Sequence, residues 1–136
     1  MLENSKVNIK IKLSVLWTSV MFCYVYGDYF ELYVPEKVES LLSGTHVLDS
    51  PLKLVIASVV LTIPAVLIAL SVMLPSKINR LTNIVVGSLY SLMMLIIAFN
   101  SLTLWYGFYA FLGFVESIIT LVIVYNAWKW PKIEQD

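Results

Sequence analysis

An all-α bundle of four transmembrane helices is the fold this sequence predicts, and three observations predict it. Hydrophobic residues make up 60% of the 136 and charged residues only 13%, against about 45 to 50% apolar in soluble domains. The apolar residues gather in four stretches, 13–34, 52–74, 78–100 and 104–128, each long enough to cross a hydrocarbon core of about 30 Å at 1.5 Å per residue. The alternation of a membrane barrel is absent, and backbone groups in lipid must bond internally, so the stretches are helices within a single transmembrane domain over 1–136.

The first stretch follows Lys6, Lys10 and Lys12 as a signal peptide would, but it is too long, carries acids and lacks a small-x-small cleavage site. It reads as a retained signal-anchor helix. Ser50 before Pro51 is N-cap chemistry for the second helix, and Thr103 before Leu104 suggests the same for the fourth. Pro35, Pro75 and Pro131 mark the ends of the first, second and fourth helices. In the loop 35–50, Val38, Leu41 and Leu42 recur at helical spacing between Pro35 and Gly44, which predicts a short interfacial helix. His46 in that loop has no visible partner and reads as a solvent-exposed or capping residue.

Seven Lys and Arg fall at the end holding both termini and the loop between the second and third helices, against two, Lys37 and Lys53, at the other. The positive-inside rule then places both termini in the cytoplasm of a multi-pass protein of the cell (inner) membrane. No basic run is present, which argues against a nucleic-acid partner. Cys23 is the single cysteine, so neither an intrachain disulfide nor a Cys-x-x-Cys pair is possible. No cofactor or metal site is expected. With no intramembrane histidine and no nucleophile placed beside a base, the residues point away from an enzyme, and no catalytic residue is assigned.

Three carboxylates stand out because a buried acid in lipid costs several kcal/mol unless it is paired, protonated or wetted. In the first helix, Trp17, Met21, Tyr24, Asp28 and Glu31 share one face by their four-and-three spacing. Counting back from Val34, Asp28 lies roughly 9 Å and Glu31 roughly 5 Å below the outer boundary. In the fourth helix, Tyr109, Gly113, Glu116 and Thr120 share a face. Glu116 lies roughly 18 Å deep, near the midplane, with no Lys, Arg or His at that depth in any helix. Such a carboxyl donates a hydrogen bond, carries a proton, or meets a cation brought by a ligand.

Most aromatics crowd the outer half around these acids, where rings supply a cation-π term and a carboxylate supplies charge for a lipophilic cation. Tyr24 and Tyr109 are the aromatic candidates, and Asn100, at the outer end of the third helix, is expected to reach toward Asp28 or Glu31. The ligand- or proton-binding set is therefore Asp28, Glu31, Glu116, Tyr24, Tyr109 and Asn100. Structural packing is the competing reading for all of them, since Tyr and Trp gather at membrane interfaces in any case.

Pro64 in the second helix frees the carbonyl of Val60, with Ser58 and Thr62 near enough to repair the gap. Gly113 with Ser117 offers a small-xxx-small seam, and Gly87, Ser88 and Ser91 form a packing face on the third helix. Asn83 and Asn126, at similar depth, are expected to bond to each other.

The strings Ile11-Lys12-Leu13-Ser14 through Trp17, Gly27-Asp28-Tyr29-Phe30-Glu31-Leu32-Tyr33-Val34-Pro35, Val115-Glu116-Ser117 and Ala127-Trp128-Lys129-Trp130-Pro131 resemble a bacterial integral-membrane family catalogued as a domain of unknown function. The resemblance covers essentially the whole chain and implies four transmembrane helices. A looser similarity of size and helix count is to the DoxX-like proteins and to the sterol-binding group that sets membrane-embedded acids against lipophilic amines.

The leading functional expectation is a module that binds or exchanges a lipophilic, cationic amphiphile, or a proton, through the intramembrane carboxylates. The alternative is an accessory or scaffold subunit whose acids pair with a partner's basic residues. A proton-coupled small multidrug-type transporter ranks third, because its essential acid lies centrally in helix one whereas Asp28 is displaced outward. Expected partners are the lipid bilayer and an amphiphilic small molecule, with a homo-oligomer or a larger membrane complex as the assembly.

Overall fold

The computed structural model describes residues 1–132, and the regular secondary structure there is all α-helix. Five helices follow in order, α1 (Ile9–Glu31), α2 (Lys37–Ser43), α3 (Pro51–Met73), α4 (Ser76–Asn100) and α5 (Gly107–Trp128). Four are long and apolar enough to cross a membrane, and the seven-residue α2 sits in the first loop as expected.

Helix ends follow capping chemistry more closely than the edges of the apolar runs. α1 starts four residues before Leu13 because the Asn8 side chain accepts from the Lys10 amide at 2.9 Å, capping a first turn that carries Lys10 and Lys12. It ends at Glu31, and Leu32, Tyr33 and Val34 continue in tighter turns bonded three residues back before Pro35. Ser50 caps α3 with Pro51 in its first turn. Thr103 caps nothing. Its amide bonds Ser101, residues Leu104 to Tyr106 form a turn, and α5 begins at Gly107 with no side-chain cap.

In the turn from α1 to α2, Pro35 precedes Glu36, whose φ of 65° is left-handed, and the Lys37 amide closes on the Val34 carbonyl at 3.1 Å. Glycine ordinarily fills that position of a type II turn.

Hydrogen bonds fix which ends meet. Lys10 donates to the Leu74 carbonyl at 2.7 Å, and Arg80 donates to the Ala127 and Trp128 carbonyls. The start of α1, the α3–α4 turn and the end of α5 therefore share one end of the bundle. α1 packs on α3 and α5, α4 packs on α5, and α3 touches α4 at few points.

The core is small and central, built on Leu13, Trp17, Val20, Leu67 and Ile123. Small residues hold the helices close. A Cβ on Gly113 would stand 3.0 Å from that of Ala98, and one on Gly87 would stand 2.9 Å from a Val124 methyl. Ser91 and Ser117 bond each other across the same α4–α5 seam.

A buried polar chain, which the sequence reading missed, crosses the terminal half. Trp17 Nε1–H donates to Asn83 Oδ1 at 2.7 Å, Asn83 Nδ2 donates to Asn79 Oδ1 at 2.7 Å, and Asn79 Nδ2 donates to the Ser71 carbonyl at 2.6 Å. The expected Asn83–Asn126 pair is thereby corrected, for Asn126 bonds the Val122 carbonyl in its own helix. Tyr90, from α4, donates to the Val60 carbonyl that Pro64 frees. Ser58 and Thr62 bond Leu54 and Ser58 instead.

Candidate functional site

All four long helices contribute to one cavity of about 300 Å³ in the half of the bundle away from the termini. α1 presents Cys23, Tyr24, Gly27 and Asp28; α5 presents Tyr109, Leu112, Gly113 and Glu116. α3 adds Ala57, Val60 and Leu61, α4 adds Met93, Met94 and Ile97, and Leu48 reaches in from the loop. The helical spacing read from the sequence explains the first two sets. Tyr24 and Asp28 are one turn apart on α1, as are Tyr109, Gly113 and Glu116 on α5.

Glu116 is 4% exposed. Among the described residues its carboxyl makes no hydrogen bond and no ion pair; its backbone carbonyl accepts from the Thr120 hydroxyl at 2.9 Å. Tyr24 is 7% exposed, and its buried hydroxyl has no partner. Asp28 is exposed and shares the cavity wall, and the lining contains no Lys, Arg or His. The cavity therefore presents two carboxyl groups, the phenols of Tyr24 and Tyr109 and the Cys23 thiol in an otherwise apolar wall.

Glu31 stands apart. It does not line the cavity, and it accepts from Lys37 Nζ at 2.7 Å and from the Tyr106 hydroxyl at 3.3 Å. Burial, and next the Glu31 charge, push the Tyr106 hydroxyl above the usual tyrosine range. This cluster ties α1 to the start of α2 and to the last loop. Asn100 is exposed and donates to the Ile96 carbonyl at 2.9 Å, bonding neither acid. Of the six candidates the structure brings Asp28, Glu116, Tyr24 and Tyr109 together, and it separates Glu31 and Asn100. Met93, Met94, Val60 and Leu61, which complete the wall, carried no signal in the sequence beyond their apolarity. No group of three His, Cys, Asp or Glu is placed to hold a metal ion among the described residues.

The geometry is that of a small all-helical protein with four helices long and apolar enough to cross a membrane. The chain belongs to the family of unknown function DUF6326, which matches residues 2–135. That match carries no relationship to the DoxX-like proteins. No curated protein and no solved structure matched.

Proposed function

We propose that this protein binds a lipophilic small molecule bearing a cationic amine, with the ammonium against Glu116 and Asp28 and the apolar body along α3 and α4. The observation that carries the reading is Glu116, 4% exposed on a cavity wall, whose carboxyl has no partner among the described residues. A carboxyl at that depth is costly to keep and is retained where it meets an ion, a proton or a hydrogen-bonding ligand. The rings of Tyr24 and Tyr109 offer cation-π faces beside it. The volume, about 300 Å³, is at the small end of ligand pockets and fits a compact amphiphile.

The setting is a cell membrane, with both termini on the cytoplasmic side by the distribution of Lys and Arg and the cavity in the outer half. No bond is made or broken in this reading. The protein holds its ligand, and exchange follows from binding and release.

A thermal-shift titration of purified wild type and Glu116→Gln against lipophilic amines tests the proposal. At a ligand concentration of about 100 Kd the wild type gains about 2.7 kcal/mol, and Glu116→Gln does not. Equal shifts in the two proteins would overturn it. Stoichiometric co-purifying subunits, with no shift in either protein, would favour the accessory-subunit reading instead.

A further inference from the structure

We propose that the ligand reaches the cavity sideways from the membrane, through the seam between α3 and α4. The route rests on the cavity being a ligand site, and it names the source of the ligand: a molecule already dissolved in the leaflet that faces this half of the bundle.

Three features carry the inference. First, α3 and α4 are neighbours that touch at few points, whereas α4 lies close on α5 and α1 lies close on both α3 and α5. Second, two hydrogen bonds join α3 to α4 among the described residues. They are Asn79 to the Ser71 carbonyl near the turn and Tyr90 to the Val60 carbonyl at mid-height. Beyond Tyr90, toward the Asp28 end, none does. Third, the residues flanking that unbonded stretch, Ala57 and Leu61 on α3 and Met93 and Ile97 on α4, line the cavity and are only half-buried. Small and unbranched side chains such as Ala57 and Met93 adapt with little rotamer strain.

The floor is closed in the other direction. Trp17, Leu67 and Pro64 are fully buried or nearly so, and the chain Trp17–Asn83–Asn79 spans the interior beneath them. The Tyr90–Val60 bond is then the sill of the opening, held in place because Pro64 leaves the Val60 carbonyl without an amide.

Cys23 lines the cavity and is the chain's single cysteine, so it reports access without any ligand being known. The experiment labels the full-length protein in liposomes with two small thiol reagents, uncharged methyl methanethiosulfonate and its permanently cationic trimethylammonioethyl analogue. The Cys23 thiolate attacks the sulfenyl sulfur of either reagent, forming a mixed disulfide and releasing methanesulfinate, and Asp28 and Glu116 would favour the cation if water led to the cavity. The inference expects the uncharged reagent to react at least about tenfold faster, since a fixed charge crossing the bilayer interior costs several kcal/mol. It also expects Ala57→Trp and Ile97→Trp, which fill the seam, to slow that reaction several-fold. Ile118→Trp, on an exposed face of α5, should leave it unchanged, with unfolding curves confirming that each variant is folded.

Comparable rates for the two reagents would overturn the route, as would insensitivity to both seam substitutions or no labelling by either reagent. Because labelling needs no amine, a wild type that binds no amine would defeat the proposed function while leaving the access result to stand by itself.

Discussion

The Tyr90 hydroxyl donates to the carbonyl oxygen of Val60, the acceptor that Pro64 leaves without an amide four residues on. A helix fault and its repair thus sit on different helices, and the repair is one of two bonds that tie α3 to α4.

Tyr90→Phe leaves that carbonyl unbonded and should destabilise the protein by about 1 to 2 kcal/mol. In a Pro64→Ala background the new amide can take the Val60 carbonyl, and the same Tyr90→Phe change should cost clearly less. A double-mutant cycle of unfolding in detergent reads the difference. Equal costs in both backgrounds would mean that the tyrosine matters only for packing against Trp17, whose ring stands edge-on at 6.2 Å.

Asn83 and Asn126 should respond very differently. Asn83 is fully buried and links Trp17 to Asn79, so Asn83→Ala removes three hydrogen bonds of that side chain and opens a cavity, at a cost of about 2 kcal/mol. Asn126 bonds its own helix, and Asn126→Ala should change stability by less than about 0.5 kcal/mol. Unfolding curves for the two variants measured side by side decide the point.

Gly113 is held against α4. An added Cβ would meet Ala98 Cβ at 3.0 Å and the Met94 carbonyl at 3.3 Å, and that backbone cannot yield without moving the seam. Gly113→Ala should destabilise despite the gain of about 1 kcal/mol in helix propensity. At Gly27 the nearest atoms are side-chain carbons of Leu112 and Tyr109 at 3.5 and 3.6 Å. Gly27→Ala should therefore be neutral or stabilising, and a reversed order of the two melting temperatures would contradict the packing described.

Glu36 holds a left-handed backbone at φ 65°, where a side chain costs roughly 1 kcal/mol or more. Glu36→Gly should stabilise the protein relative to Glu36→Ala, and the comparison cancels the loss of the charge. If the two variants unfold alike, the turn stores no strain.

The four spans were legible because lipid imposes a length and an apolar composition that few other structures share, and the pairing of Asp28 with Tyr24 and of Glu116 with Tyr109 followed from helical spacing within each segment. Contacts between segments were not legible. Asn83 was matched with Asn126 by depth, yet depth says nothing about rotation about the helix axis, and Trp17 faces Asn83 instead. Glu31 and Asp28 share a face of α1, but Lys37 is carried back to Glu31 only by the Pro35–Glu36 turn, whose left-handed glutamate has no sequence signature. Tyr90 looked like any other aromatic in a span, and its role depends on which helix Pro64 presents to it.

The central claim is that Glu116 supplies the charge for a cationic ligand, and a matched pair of probes tests it most directly. A lipophilic amine and the neutral alcohol of the same carbon skeleton would be titrated into wild type and Glu116→Gln, with affinity read by calorimetry. The wild type should prefer the amine by at least about tenfold, equivalent to about 1.4 kcal/mol, and Glu116→Gln should lose this preference while still binding the alcohol. Equal affinity of the wild type for the two probes, or an amine preference that survives in Glu116→Gln, would contradict it.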